Sequence, residues 1–229
     1  MKKMIPGCLI LGLIFLLSPS HSVAQSDIIN LPAPQTDGGK PLMQALKLRQ
    51  STRGDFGPDT PLSMQTISNL LWVANGVNRT QGNHRTAPAA SDRQSIDIYV
   101  ATPDGLFLYD AIAHSLKVIA KTDVRASSGL EGPASGMMRQ DFAKTAPCSL
   151  IYVADTGKDA GMKWEGEDVG PILSFTNAGT MAQNVYLYCA SEGLACILRA
   201  MIDPKQLATV LKLRPEQKAI LTTTIGHFK

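Results

Sequence analysis

The feature that most constrains the fold is an unbroken apolar run in the second half of the chain. Residues 148–155 read CSLIYVAD and follow Pro147. A run of this length, apolar on both of its alternating faces, is typical of a central strand. The sequence therefore predicts a sheet with this segment at its centre.

Other segments follow the two-residue period of half-buried strands. SIDIYVAT is joined to LFLYD by a Pro-Asp-Gly turn at 103–105, which predicts a hairpin. HSLKVIA predicts a further short strand, and QKAILTTTIGHFK predicts a last one.

Helical periodicity marks much of the rest of the chain. PLMQALKLRQS and SMQTISNLLWVANG predict two helices, the second capped by Ser63 and stopped by Gly76. The longest helical pattern covers residues 172–201, with Gly193 near its end.

Two shorter helices and one irregular segment complete the pattern. ASGMMRQDFAKTA predicts a helix that ends before Pro147, and DPKQLATVLKL predicts one capped by Asp203. Residues 156–170 have no period and predict a surface excursion. Together the segments predict one α+β domain.

The first 24 residues predict a secretory signal peptide. Lys2 and Lys3 precede an apolar core at 5–17, and Ser-Val-Ala follows at 22–24. The core is shorter than the roughly 20 residues that span a bilayer, although an uncleaved anchor is the alternative. Cleavage predicts an exported chain, periplasmic or secreted and not inserted in the membrane, with an extended arm at 25–40 and a folded domain at 41–229.

Charge and cysteine content exclude some classes of partner. The formal charge is +3, and removing the two lysines of the signal lowers it to +1, which gives no electrostatic ground for binding nucleic acid. Cys148, Cys189 and Cys196 lie in apolar contexts that favour buried thiols. Cys189 and Cys196 are seven apart in the helical pattern, about 10 Å along its axis, which predicts no bridge between them. The scattered histidines predict no metal site.

Polar residues group at the junctions between predicted elements. Arg49, Ser51 and Arg53 follow the first helix, where two guanidinium groups and a hydroxyl could converge on a phosphate. His227 and Lys229 offer similar groups near the last strand. Solvated side chains at a helix end are the alternative.

Two further features stand out by residue size and polarity. Residues 88–90, Pro-Ala-Ala, let a flat ligand approach the backbone, although an ordinary tight loop is the alternative. Gln183 and Asn184 are adjacent amides in a largely apolar helix, and they need hydrogen-bond partners there.

Taken in order, these segments resemble the nitroreductase-like flavin oxidoreductases, and more narrowly the branch that includes the peptide azoline dehydrogenases. The resemblance extends over about 41–229. It implies a mixed, mostly antiparallel central sheet wrapped by helices, in an intertwined homodimer with two FMN molecules at the interface. It is carried by Arg49-x-Ser51-x-Arg53, LLWVANG, RTAPAASDRQSIDIYV, GTMAQNVYLYCASEGLACILRAMID and TIG.

The resemblance also assigns residues to the flavin. Arg49, Ser51 and Arg53 would bind the FMN phosphate and ribityl chain, assisted by residues 227 or 229. Residues 88–90 of the other subunit would pack near the isoalloxazine ring, and backbone at 199–201 would face the reactive nitrogen. No side chain is assigned as a catalytic acid or base. The predicted cofactor-binding residues are Arg49, Ser51, Arg53, Arg85, Pro88, Ala89, Ala90, Asp92, Gln183, Arg199, Ala200, Met201, His227 and Lys229.

The implied reaction has two steps. A donor, usually NAD(P)H, reduces the flavin, which passes hydride or electrons to a small-molecule acceptor such as a nitroaromatic or quinone. Because nicotinamide cofactors are scarce outside the cytoplasm, the donor of an exported member is a separate question.

Two positions depart from the family pattern. Ala89 stands where Ser is common and lacks its hydroxyl, and Asp92 stands where Asn is common. A carboxylate near flavin disfavours the anionic reduced form unless it is protonated or paired with Arg93. The alternative function is therefore a non-catalytic dimeric binding or structural protein with flavin binding weakened or lost. A third hypothesis, a peptide-modifying dehydrogenase, would require a partner cyclase.

Overall fold

A computed structural model of the protein describes residues 27–54, 56–129 and 140–229. The predicted signal peptide lies outside the described residues. The same is true of residues 134–139 of the predicted helix ASGMMRQDFAKTA, of which the part at Phe142–Thr145 is confirmed as helical. In the described part, no helix is both long enough and apolar enough to cross a membrane.

The described residues contain five α-helices and eleven strands. The helices are α1 (Leu42–Leu48), α2 (Met64–Asn75), α3 (Phe142–Thr145), α4 (Gly170–Glu192) and α5 (Pro204–Leu211). The strands are β1 (Ile28–Asn30), β2 (Val77–Arg79), β3 (His84–Arg85), β4 (Ile96–Thr102), β5 (Gly105–Asp110), β6 (Ser115–Ala120), β7 (Cys148–Asp155), β8 (Lys163–Trp164), β9 (Glu167–Asp168), β10 (Ala195–Arg199) and β11 (Gln217–Gly226).

Seven strands form the main sheet, in the order β1-β6-β5-β4-β7-β11-β10. Every neighbouring pair in it is antiparallel. β7 lies between β4 and β11, and all eight of its residues are buried. The predictions of an α+β fold, a largely antiparallel sheet and a central CSLIYVAD strand are confirmed.

The side chains of β7 alternate between two apolar cores. Leu150 and Tyr152 belong to the core that includes residues of α2 and α4, whereas Ile151 and Val153 belong to the core that includes residues of α5. Helices therefore cover both faces of the sheet. Full burial of such side chains stabilises the fold by about 1.5–3 kcal/mol each.

Local signals placed several element ends correctly. The Ser63 hydroxyl accepts a hydrogen bond from the Thr66 N–H at 3.0 Å and caps α2, which is followed by Gly76. The Asp203 carboxylate caps α5 by accepting from two backbone N–H groups. At the β4–β5 turn, Gly105 has a φ of 145°, and a Cβ there would lie 2.3 Å from the Ala120 carbonyl oxygen.

The predicted helix over 172–201 is wrong in its last part. α4 ends at Glu192, Gly193 takes a φ of 72°, and the Leu194 N–H donates to the Cys189 carbonyl at 2.8 Å. A left-handed glycine followed by such a bond is the usual way to stop a helix. The chain then turns back, and the apolar residues at 195–199 form β10 instead of a last helical turn.

This reversal changes the relation between two cysteines. Cys189 lies on α4 and Cys196 on β10, so the prediction that they are separated along one helix is wrong, and both side chains belong to the same buried core. The prediction of buried thiols is confirmed, and none of the three described cysteines is in a disulfide. Burial, and then the contact with Cys196, raise the pKa of the Cys189 thiol.

The segment predicted as irregular and the predicted extended arm both contain short strands. Residues 156–170 include a hairpin made of β8 and β9. The predicted arm is extended, and its β1 pairs with β6 at the edge of the main sheet. Beyond β1, the Gln35 N–H donates to the Asn69 side chain at 2.9 Å and the Lys40 N–H to the Ser191 hydroxyl at 2.8 Å.

His114 helps to hold this arm in place. Its Nε2 lies 2.7 Å from the Ser68 hydroxyl, which donates to the Pro32 carbonyl at 2.6 Å, and its Nδ1 lies 3.0 Å from the Tyr109 hydroxyl. Because the Ser68 proton goes to Pro32, the Nε2–H donates to Ser68 and Nδ1 accepts from Tyr109, as in a neutral imidazole. Burial lowers the pKa of His114, partly opposed by the Pro32 carbonyl.

This lowered pKa predicts a loss of stability in mild acid. In the unfolded chain, His114 has a pKa of about 6.5 and binds a proton as the pH falls below that value. The folded chain takes up this proton only at lower pH. Unfolding therefore becomes more favourable as the pH falls. In His114→Gln this contribution is absent. Urea midpoints of the two proteins should differ more at pH 7.5 than at pH 5.0, and a difference independent of pH would contradict the assignment.

Candidate cofactor site

Tyr186 on α4 connects the segment that follows α1 to β10. Its hydroxyl oxygen accepts from the Leu198 N–H at 2.7 Å and lies 2.8 Å from the Ser51 hydroxyl. The Arg49 guanidinium carbon lies 5.3 Å from the centre of the Tyr186 ring, within the range of a cation–π contact. One side chain therefore positions two of the predicted phosphate-binding residues.

Thr52 fixes the backbone between Ser51 and Arg53. Its N–H donates to the Cys196 carbonyl at 2.9 Å, and its hydroxyl accepts from the Cys196 N–H at 3.3 Å. Thr52 is buried, whereas Ser51 and Arg53 on either side of it are exposed. The segment therefore directs both predicted residues outward, as alternate positions in an extended chain do.

The residues that follow β11 lie beside this segment. Phe228 forms an antiparallel bridge with Phe56, and the Gly57 N–H donates to the His227 carbonyl at 2.7 Å. The approach requires glycine, since a Cβ at Gly57 would lie 2.5 Å from the Phe228 carbonyl oxygen. The structure thus brings the segment 227–229 next to the chain that leaves Arg53, as the phosphate assignment requires.

A cavity of about 180 Å³ opens in this region. Its walls include Gln50 beside Ser51, Tyr186, Cys196 and Phe228. Ligand pockets usually measure roughly 300–1,000 Å³. One chain therefore offers room here for only part of a large cofactor.

Several donor groups of the segments 49–53 and 227–229 lack acceptors, and none of them lines this cavity. Within residues 27–54, 56–129 and 140–229, Arg53 and Lys229 have no ion-pair or hydrogen-bond partner for their side chains. The Nε2 atom of His227 is buried and has no partner either. Arg49 has the Tyr186 ring as its neighbour and no carboxylate among the described residues. Such a cluster favours an anionic ligand, since unpaired cationic donors near protein surface attract phosphate or carboxylate.

The small residues at 88–90 belong to a second group. The segment is held through Thr86, whose hydroxyl donates to the Trp72 carbonyl at 2.9 Å and whose carbonyl accepts from the Asn184 amide at 3.3 Å. The partner of this segment on α4 is thus Asn184. Gln183, the predicted ligand, is exposed and has no hydrogen bond within the described part of the chain.

Backbone strain is concentrated just after these residues. Ser91, Asp92 and Gln94 have φ values of 50°, 54° and 49°. Non-glycine residues adopt this region at a cost and are often found at functional sites when they do. Ala89 and Ala90 are half-buried and Pro88 is exposed, so a surface of small side chains faces outward here.

Asp92 pairs with His84 and not with Arg93. One carboxylate oxygen lies 3.5 Å from His84 Nδ1, and the other accepts from the Gln94 amide at 2.7 Å. Arg93 instead donates to the Lys158 and Ala160 carbonyls at 2.8 and 3.3 Å. The pairing of Asp92 with Arg93 that the sequence suggested is therefore wrong.

Arg199 belongs to the third predicted set of site residues, at 199–201. Its side chain turns into the protein. It is 5% exposed and donates to the Ser128 carbonyl, the Gln140 amide and the Thr224 hydroxyl at 2.6–2.8 Å. Burial lowers its pKa to about 10. The guanidinium therefore holds β10 to its neighbours. The role predicted for residues 199–201 concerns their backbone and stays a prediction, and Ala200 and Met201 are exposed.

The Arg49–Arg53 segment and the residues at 85–92 stay apart within one chain. Among the described residues, no hydrogen bond, ion pair or ring contact joins the Arg49–Arg53 segment to residues 85–92, and the cavities beside them share no wall residue. Sequence reasoning missed Tyr186 as the connection to the first group, because its place in an apolar stripe of α4 indicates a core residue.

A sequence profile, a crystal structure and a sequence relative all match this chain and are all described as nitroreductases. The sequence profile described as the Nitroreductase family matches residues 46–227. The crystal structure of a candidate nitroreductase from Ralstonia eutropha has a TM-score of 0.79 and 38% identity, and the match covers 98% of this chain and 99% of that one. A candidate nitroreductase from Methanocaldococcus jannaschii is 26% identical over an alignment of 167 residues, and the match covers 68% of this chain and 77% of that protein.

A more distant structure shares the fold alone. The NADPH:FMN oxidoreductase from Vibrio harveyi, complexed with NAD+, has a TM-score of 0.57 at 15% identity, and the match covers 82% of this chain and 69% of that one.

The hydroxyl of Tyr186 should contribute measurably to stability. Tyr186→Phe leaves the Leu198 N–H without its acceptor and the Ser51 hydroxyl without its partner, which should lower the free energy of unfolding by about 1–3 kcal/mol. Urea denaturation measures this. The control is Tyr99→Phe, since Tyr99 is buried and its hydroxyl has no partner among the described residues. Equal losses in the two variants would mean that the Tyr186 hydrogen bonds add nothing.

Proposed function

The chain belongs to the nitroreductase family, an oxidoreductase family, and we propose that it binds FMN and uses it to pass hydride or electrons from a reduced donor to a small-molecule acceptor. A nitroaromatic or a quinone is the acceptor type proposed. The donor is NAD(P)H or, in an exported protein, another reductant. FMN and NADPH are also named for the structural relative from Vibrio harveyi.

The observation that carries this proposal is the cluster around Tyr186. Arg49 and Ser51 contact that side chain, Arg53 projects outward from the same extended segment, and the segment 227–229 runs alongside. The residues come from distant parts of the sequence, and they leave several cationic donors without acceptors. This is the donor set that a phosphate monoester requires.

The chain's own residues would bind and orient the cofactor. Arg49 and Arg53 would hold the phosphate by paired N–H donors, and Ser51 would add a hydroxyl. Bound FMN would supply the redox chemistry, which no protein side chain can supply. The apolar wall at Cys196 and Phe228 would exclude water from one side of the bound group.

We propose that the complete site needs two copies of the chain. The cavity beside the Arg49–Arg53 segment is too small for a whole cofactor, and the small residues at 88–90 lie beside a different cavity. α1 supports this proposal, because four of its seven residues are exposed large apolar side chains and only Ala45 is buried. Exposed apolar helix faces of this kind commonly mark protein interfaces.

Export is a proposal that rests on the sequence at 1–24. It predicts that FMN is bound in the cytoplasm before transport or is captured outside it. N-terminal sequencing of the mature protein and fractionation of cells would test it directly.

The competing function is a dimeric protein that keeps the fold without turnover. It is motivated by Ala89 and by Asp92, whose carboxylate is already engaged by His84 and Gln94. The two functions differ in one measurement. Protein saturated with FMN and photoreduced without oxygen should regain its oxidised spectrum when a nitroaromatic or quinone is added, and a reduced spectrum that persists would favour the competing function.

Arg53→Ala should weaken FMN binding. Each charge-assisted hydrogen bond to the phosphate that is lost should weaken binding by about 1.5–3 kcal/mol. This raises the Kd by about tenfold to a hundredfold. Flavin fluorescence quenching measures the Kd. Lys205→Ala, an exposed cation on α5, serves as the control and should bind FMN as the unaltered protein does. Unchanged affinity in Arg53→Ala would refute the phosphate assignment.

Met43→Lys should break the proposed dimer. Met43 is 76% exposed in one chain, so the lysine leaves the fold of the protomer unchanged while placing a charge in an apolar interface. Light scattering after size-exclusion chromatography should give a dimer for the unaltered protein and a monomer for the variant, with weakened FMN binding. Ile112→Lys is the control, since Ile112 is 59% exposed in a loop outside the proposed interface. A monomeric unaltered protein with full FMN affinity would contradict the proposal.

A further inference from the structure

A second cavity, of about 390 Å³, lies between the β2–β3 hairpin and the strained segment that follows it. β2 and β3 pair antiparallel, with Arg79 opposite His84 and a register shift before the next pair. The two strands and the segment that follows place charged and small side chains around one space. Its walls include Arg79, His84, Arg85, Pro88, Ala89 and Asp92.

The charges in this cavity do not balance. Arg79 and Arg85 are permanently cationic, and Asp92 is the one carboxylate in the wall. Its oxygens are already engaged by His84 at 3.5 Å and by the Gln94 amide at 2.7 Å. The residues that line the cavity therefore carry one excess positive charge at neutral pH, while Asp110 acts on Arg85 from outside the wall.

Both arginines keep unused donors. Arg79 donates from Nε to the Asn78 side chain at 3.3 Å, and its terminal nitrogens have no partner in the described part of the chain. Arg85 donates one N–H to the Asn75 carbonyl at 3.3 Å, and its Nε is buried without a partner. Burial lowers the pKa of Arg85, an effect opposed by Tyr109, Asp110 and Asp92. An unpaired donor in such a place is costly unless an acceptor fills it.

The remaining wall favours a flat body. Pro88 and Ala89 project little from the backbone, so the flavin ring of the proposed function and a planar acceptor beside it can both approach this wall while a substituent of the acceptor reaches the guanidinium groups. The geometry points to an anionic aromatic acceptor: we propose that Arg79 and Arg85 bind the carboxylate or an equivalent acid group of the molecule that this protein reduces. This inference rests on the proposed function and specifies its substrate class.

The acid group serves for binding alone. In 4-nitrobenzoate, the nitro group takes two electrons from the reduced flavin and two protons, and it becomes a nitroso group with release of water. The carboxylate is unchanged and remains paired with the arginines. A neutral analogue of the same shape, 4-nitrobenzamide, undergoes the same reaction without this pairing.

The test compares these two compounds with Arg79→Gln in the full chain. Isothermal titration should show that the unaltered protein binds 4-nitrobenzoate on the order of tenfold more tightly than 4-nitrobenzamide, and that Arg79→Gln loses this preference. Anaerobic reoxidation of the photoreduced FMN protein should show the same preference in its second-order rate constant. Lys205→Gln, remote on α5, should retain both preferences.

The outcomes separate this inference from the proposed function. Rapid reoxidation by both compounds with no preference, or an equal loss for both in Arg79→Gln, would overturn the anionic-acceptor site and leave the proposed function intact. Weaker FMN binding in Arg79→Gln with an unchanged acceptor preference would assign the arginines to the flavin phosphate and also overturn it. Charge-selective binding of 4-nitrobenzoate without any reoxidation would support the site and count against the proposed function.

Discussion

Burial of β7 on both faces is the constraint on which the rest of the structure depends. A strand with apolar side chains on both sides is stable only when each face is covered, and here α2 and α4 cover one face and α5 covers the other. The position of α4 follows from this packing, since Met181 and Val185 belong to the same core as Leu150. Once α4 is fixed there, its outer residues determine where the polar groups of the candidate site can gather.

Much of the fold could be predicted because local and tertiary preferences agree. The β4–β5 hairpin, the Ser63 cap and the central strand each follow from signals within a few residues. The end of α4 could not be predicted in the same way. The segment 195–199 is short and largely apolar, so its pattern fits a helix as well as a strand. Its pairing with β11 decides between the two.

The residue types of the candidate site came from the sequence and stay a prediction, whereas its geometry could not be foreseen. Leu48, Gln50 and Phe228 line one cavity, but no sequence pattern reveals that Tyr186 joins Ser51 to β10. The direction of the Arg199 side chain was equally hidden. Only the backbone of residues 199–201 was given a role from the sequence, and the structure shows that the Arg199 donors are used by Ser128, Gln140 and Thr224 inside the protein. Side-chain direction at a strand end depends on pairing that the sequence leaves open.

The bonds of Tyr186 and Thr52 also determine when in folding a ligand could first bind. Ser51 and Tyr186 are 135 residues apart in the chain, and Thr52 and Cys196 are 144 apart. Contacts of such long range form only when most of the sheet is assembled, because their loop-closure entropy must be offset by packing elsewhere. A ligand held by these residues would therefore bind the native chain and not its partly folded forms. By mass action it would raise the unfolding temperature in proportion to the logarithm of its concentration.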